Sequence, residues 1–209
     1  MRIVALEGID GSGVSTHSKL LHGKLVEAGV PSCLWKEPTE GPVGGLIRGF
    51  LRGAGGAVDS DVMALLFAAD RLWGLRLGVA ERCGGRPEVL VVDRYKYSSL
   101  AYQGISSGLE WVDAINSKAP EAEVLVYIDV PPEVAMRRIT ARGRREVFET
   151  PDFLSRVKTM YEEVLRLASG RGVRVVRVEG VRGGVERSIE DVQSEIAARV
   201  FEALGLPGP

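Results

Sequence analysis

Residues 8–16 run Gly8-Ile9-Asp10-Gly11-Ser12-Gly13-Val14-Ser15-Thr16. Their glycine spacing and closing hydroxyls match a phosphate-cradling loop, G-x-x-x-x-G-K-[ST], at every position but one. In such a turn successive backbone N–H groups face an anion, with a helix N-terminus behind them. All nine residues are therefore expected to contact a nucleoside triphosphate, with the Ser15 hydroxyl available to Mg²⁺. Val14 stands where the pattern has lysine. The absent ammonium would lie at the β- and γ-phosphates, and losing one such group commonly costs on the order of 10²–10³ in rate. Every backbone donor survives, so the loop predicts retained binding and slowed transfer unless another cation reaches the same oxygens. Arg142, Arg144 and Arg145 are the nearest candidates by motif logic. Lys19, further along the helix, should point away.

A second constellation, Val-Val-Asp-Arg-Tyr at residues 91–95, closes a hydrophobic run. A strand ending in Asp-Arg at the carboxyl edge of a parallel sheet lies beside the first loop. Asp93 can then hold Mg²⁺ through water and Arg94 can clamp phosphates. Taken alone, the pair is equally readable as a strand-end salt bridge.

The elements that must position these groups are legible as alternation. Short β-branched runs at 3–6, 33–35, 89–92, 124–130 and 173–178 suit strands buried on both faces. Stretches of helical period separate them, at 16–28, 61–82, 132–142, 153–168 and 189–204. Such alternation predicts a parallel, doubly wound α/β sheet with right-handed crossovers. The glycine-rich stretch 53–58 is expected to be a loop between helices, and the Arg-rich stretch 141–151 a mobile one.

Composition bounds the rest. The chain has 209 residues, 45% hydrophobic and 26% charged, with a net charge of −1. That suffices for one domain over 1–209 and gives no general reason to expect nucleic acid or a membrane as partner. Cys33 and Cys83 are too few for a disulfide framework or a CxxC metal site, so a reducing, cytoplasmic setting is expected. No run is long enough to span a bilayer, and the N-terminus enters an apolar strand without a signal-peptide pattern.

The segment Asp-Arg-Tyr-Lys-Tyr-Ser-Ser-Leu-Ala-Tyr-Gln, residues 93–103, closely resembles the signature of thymidylate kinases, a family of P-loop nucleoside monophosphate kinases. With the loop at 8–16 the resemblance extends over almost the whole chain. It implies a P-loop NTPase fold, a five-stranded parallel sheet flanked by helices, with a mobile LID at about 141–151. It also implies transfer of the γ-phosphoryl of ATP to dTMP with Mg²⁺, usually by a homodimer.

Residue by residue, it implies that Arg48 meets the dTMP phosphate, downstream of Lys36-Glu37-Pro38. Glu37 also falls on the substrate side. Phe67 would stack on thymine and Arg71 bond its carbonyl. Ser99, Tyr102 and Gln103 would line the sugar and base pocket, with Tyr102 crowding a ribose 2′-OH. Asp10 would contact the acceptor near its sugar, and Arg138 would lie against adenine. Phe148 and Glu149 resemble an aromatic-Glu pair near the acceptor. Residues 9–12 carry no basic side chain, so the subtype with its catalytic base charge in the LID (Arg142, Arg144, Arg145) is the better match. Thr39-Glu40 replaces a common Gly-Gly, and the loop at 180–187 is longer than usual. Two alternatives remain at this stage: a nucleotide-binding protein impaired by Val14, and a kinase of another deoxynucleotide.

Overall fold

The computed structural model describes residues 1–54, 56, 58–141, 143 and 150–209. The proposed LID arginines Arg142, Arg144 and Arg145, with Phe148 and Glu149, lie outside the described residues.

The apolar runs form a five-stranded sheet from β1 (Arg2–Glu7), β2 (Ser32–Lys36), β3 (Val89–Asp93), β4 (Val124–Asp129) and β5 (Arg174–Glu179). Their order is β2-β3-β1-β4-β5, and every pairing is parallel. Val89 through Val92 are wholly buried, as are Val124 through Tyr127, which is why these strands read as continuous rather than alternating hydrophobicity. The order reverses beside β1, so the crevice at its carboxyl end is the switch point where open α/β sheets place ligands.

Helix α1 (Val14–Glu27) leaves the first loop and packs along β2 and β3 and against α10 (Ile189–Leu204). Helix α2 (Pro42–Leu51) packs on α3 (Ser60–Trp73), whose first turn is capped by the Asp59 carboxylate accepting from Asp61 N at 2.8 Å. The expected single helix over 61–82 is instead α3, a π-helical turn at Gly74–Gly78, and α4 (Val79–Arg82). The Trp35 ring explains the break: a Cβ on Gly74 or on Gly78 would lie 2.7 Å from it. A widened, side-chain-free turn is what lets the indole approach.

Between β3 and β4 the chain makes α5 (Lys96–Tyr102), α6 (Gly104–Ser107) and α7 (Leu109–Ile115). None completes enough turns to show a period in sequence. Helix α8 (Pro132–Ala141) follows β4, and α9 (Pro151–Gly170) packs against α5. A hairpin of β6 (Val181–Arg182) and β7 (Val185–Glu186) occupies the long loop before α10.

The cysteine expectation is corrected. Cys33 and Cys83 are bonded, with S–S 1.99 Å and Cα–Cα 6.0 Å, tying β2 to the end of α4 across 50 residues of sequence. The spacing gave no hint, because the fold alone brings the helix end beside the strand. Closing a loop of that length in the unfolded chain is worth about 4 kcal/mol in the chain-entropy account.

Candidate functional site

A cavity of about 480 Å³ opens where β1, β2 and β3 end. It is lined by the first loop (Ile9, Asp10, Gly11, Gly13, Val14, Ser15, Thr16), by Lys36, Glu37 and Pro38, and by Arg48 of α2. Phe67 and Arg71 of α3 face it, with Arg94, Ser99, Tyr102 and Gln103 following β3, and Arg138. A second cavity, of about 420 Å³, lies on the other side of the loop and is lined by Ser12, His17, Arg138, Glu186 and Ser188 among others.

The loop's shape follows from its glycines. Gly11 has φ 81°, and a Cβ there would sit 2.5 Å from the Ala135 carbonyl oxygen. Gly13, at φ 98°, ends the turn, and Thr16 N donates to its carbonyl at 3.0 Å to start α1. Val14 is 3% exposed and packs in the core. The position that would carry lysine therefore presents no charge to the cavity.

Arg94 is the non-glycine residue with positive φ, 66°, among the described residues. The left-handed region costs an L-residue roughly 1–2 kcal/mol, so the surroundings must hold it. They do: its guanidinium donates to Gly8 O at 2.9 Å, Asp10 Oδ1 at 2.7 Å and Ser98 Oγ at 3.2 Å. It also lies 5.4 Å from the centre of the Tyr102 ring. The Tyr102 hydroxyl in turn accepts from Asp10 N at 3.0 Å and donates to Asp10 Oδ2 at 2.9 Å. Desolvation pushes the phenol well above its ordinary range, keeping the proton with which it holds Asp10.

Beneath this triad lies Glu7, which sequence reasoning passed over. It is fully buried and accepts from Tyr95 N at 2.8 Å, Ser98 N at 3.2 Å, Tyr161 Oη at 3.1 Å and the Ser98 hydroxyl. Burial pushes its carboxyl up, against the pull of Ser98 and Arg94. It ties the end of β1 to the start of α5 and so fixes where Arg94 emerges. An acidic residue inside an otherwise apolar strand end was the available signal.

On the α3 side Arg71, 1% exposed, is held by three side chains. Nε and Nη2 meet Glu37 Oε2 at 2.8 and 2.7 Å, Nη2 donates to Ser99 Oγ at 3.1 Å, and Nη1 donates to Asn116, the chain's only asparagine. Burial pushes the Glu37 carboxyl up to about 7, with Arg71 pulling it back. Asp70 accepts from Thr39 N at 2.7 Å and Thr39 Oγ1 at 2.6 Å, fixing the turn after β2. Arg48 donates to the carbonyls of Pro38 (3.1 Å) and Thr39, and pairs with Glu40 at 3.3 Å. Phe67 is half-buried on the wall above.

Ser15 Oγ donates to Asp93 Oδ2 at 2.6 Å, and the second Asp93 oxygen is buried with no hydrogen-bond partner among the described residues. Lys36 Nζ lies 2.8 Å from both Ser15 Oγ and Asp93 Oδ2. One carboxylate and one hydroxyl are hard oxygen donors that suit Mg²⁺, which commonly takes few protein ligands and completes its shell with phosphate and water. Among the described residues no group of three or more His, Cys, Asp and Glu side chains could hold a metal alone.

Arg138 reaches back from α8 to Gly11 O at 3.2 Å and is paired with Glu186 at 2.8 Å, so it stands between the two cavities. No helix among the described residues is long and apolar enough to cross a membrane.

A sequence model of the family "Thymidylate kinase" matches residues 6–196. An Aeropyrum pernix protein named "Putative thymidylate kinase" is 84% identical over 206 residues, 99% of each chain. A Pyrobaculum aerophilum protein named "Probable thymidylate kinase" is 37% identical over 198 residues, 94% of this chain and 95% of its own. One of the same name from Pyrococcus abyssi is 38% identical over 212 residues, 97% of this chain and 98% of its own.

Proposed function

The chain belongs to the thymidylate kinase family, and we propose that it transfers the γ-phosphoryl group of ATP to the phosphate of dTMP, giving dTDP and ADP with Mg²⁺. One observation carries this reading: the loop with Ser15, the Arg94 guanidinium and the Phe67–Arg71 wall all face one cavity, and Ser15 is bonded to Asp93 at the end of β3. A site that merely bound a triphosphate would have no use for a second, base-sized wall across the gap. Neither alternative, an impaired binding protein or a kinase of another deoxynucleotide, is favoured by the family match.

In this reading residues 1–209 act as one unit. The loop amides from Gly8 to Thr16 hold the triphosphate, and Arg138 flanks the adenine side. Arg48 takes the acceptor phosphate, exchanging its carbonyl partners for phosphate oxygens. Phe67 stacks on the base while Arg71, kept rigid by Glu37, Ser99 and Asn116, presents a donor to its carbonyl; Gln103 completes the wall. Arg94 leaves the sheet edge between the two phosphate sites, where negative charge redistributes during transfer. Asp10 holds Arg94 and Tyr102 in place. Mg²⁺, held by Ser15 and Asp93, would neutralise charge on the β- and γ-oxygens. The LID arginines Arg142, Arg144 and Arg145, with Phe148, are assigned by resemblance alone.

We further propose a homodimer, which the exposed Leu46 of α2 and Val62 and Leu65 of α3 would serve, at 48%, 47% and 50% exposure on a packed helix pair. A cytoplasmic location goes with a nucleotide-consuming activity.

Selectivity tests the assignment. The Tyr102 ring, fixed through Asp10, leaves little room beside C2′, so kcat/KM for dTMP should greatly exceed that for UMP. The gap between dTMP and dUMP should be smaller, because one methyl in an apolar pocket contributes roughly 1–3 kcal/mol. Equal kcat/KM for dTMP and UMP would overturn it.

The Glu37–Arg71 pair adds a pH dependence. With its carboxyl raised from 4.5 to about 7, the folded chain keeps a proton that the unfolded chain gives up. The contribution of this group to stability therefore declines as pH rises through that window. Binding should run the other way, because ionised Glu37 is what anchors Arg71. KM for dTMP is expected to fall as pH rises through about 7. In Glu37→Gln the remaining dependence should be that of the substrate phosphate, whose second pKa is near ~6. Identical KM profiles in the two proteins would contradict this.

A further inference from the structure

The cations around the cavity differ in how firmly they are committed. Arg94 is held by Asp10 and the Gly8 carbonyl, Arg71 by Glu37, and Arg138 by Glu186. Lys36 is the exception. Its side chain is 57% exposed, and among the described residues it touches Ser15 Oγ and Asp93 Oδ2, each at 2.8 Å. It ends β2 directly across from Asp93 in the parallel register. The hydroxyl it touches belongs to the residue following Val14.

We propose that Lys36 supplies the cation that Val14 removes from the loop. In the ligand-free protein its ammonium occupies the place between Ser15 and Asp93, and when ATP and the divalent cation arrive it passes to the triphosphate. Two facts drive the exchange. A divalent cation on Ser15 and Asp93 would compete for the same two oxygens and repel an ammonium a few ångströms away, by an amount that is large in a partly desolvated site. Asp93 Oδ1, buried and without a hydrogen-bond partner among the described residues, shows that the carboxylate is not saturated by Lys36. The ammonium, on a flexible stem with three rotatable donors, is then free to follow the nearest anion. Val14, buried in the core, leaves the space over the loop to it.

This inference rests on the reading of the loop as an ATP site, and one set of titrations separates the two. ATP binding at saturating Mg²⁺ is measured by calorimetry, and Mn²⁺ binding to the nucleotide-free protein by electron paramagnetic resonance. Both are run on the unaltered chain, Lys36→Met and Lys36→Arg, with circular dichroism to verify folding. In Lys36→Met, ATP should bind at least ~10-fold more weakly, the lower end for one charge-assisted hydrogen bond. Mn²⁺ should bind more tightly, because its competitor is gone. Lys36→Arg should restore ATP binding to within a few-fold. Unchanged ATP binding in Lys36→Met would overturn the proposal. So would weaker ATP binding with Mn²⁺ affinity unchanged or reduced, the pattern of a residue that only props up the loop. Failure of the unaltered chain to bind ATP would overturn the ATP-site reading and this proposal with it.

Discussion

Arg94→Ala is expected to lower kcat by at least ~10²-fold, the scale for losing one well-placed transition-state donor, with ATP affinity changed only a few-fold. The guanidinium is held at the sheet edge by Asp10, Gly8 O and Ser98, and its backbone sits at φ 66°. A residue kept in that conformation at a cavity mouth is being held for its side chain. The backbone offers its own control, because glycine adopts positive φ at no steric cost. Arg94→Gly should therefore fold at least as well as Arg94→Ala and be equally slow. Rescue of turnover by glycine, or near-normal turnover in the alanine variant, would make Arg94 a structural residue only.

The second large effect is on stability and acceptor binding together. Arg71→Met removes the partner of Glu37, a carboxylate that is 3% exposed, and breaking a buried pair in this way commonly costs ~3–5 kcal/mol. Chemical denaturation should show that loss, and dTMP should bind far more weakly. Glu37 relieves part of the penalty by taking up a proton once Arg71 no longer holds its carboxyl down. The sign follows: its folded-state pKa moves further up, so the variant should lose stability more steeply than the unaltered chain as pH rises from ~6 to ~8. The double variant Glu37→Met/Arg71→Met should recover much of the stability but none of the dTMP affinity. A single variant as stable as the unaltered chain would show that the pair is not holding the wall.

The sheet was legible because its strands are buried on both faces, and each apolar run falls within about a residue or two of the strand it becomes. The loop was legible because its glycines answer to backbone geometry that other residues resist, as Gly11 against Ala135 shows. The groups that hold the site were not. Glu7, Asn116 and Ser98 act through contacts that span 45 or more residues, as in Arg71–Asn116 and Glu7–Ser98, and no local pattern carries that. Lys36 stood in the sequence only as the first residue of Lys36-Glu37-Pro38, with no role of its own, and it is the register that sets it across from Asp93. The helices from Lys96 to Ile115 are too short for periodicity to reveal, and the Cys33–Cys83 bridge exists only because α4 ends beside β2. Sequence thus pointed to the first loop and the end of β3, and the fold supplies the shell of contacts around them.

The central claim is that this chain, without the loop lysine, still moves a phosphoryl group to dTMP. The direct measurement is ADP release from ATP and Mg²⁺, followed by a coupled assay with and without dTMP. The account predicts steady, saturable, dTMP-dependent turnover, with dTDP formed in equal amount. ADP release at the same rate with and without dTMP, or no turnover while both nucleotides bind, would contradict it.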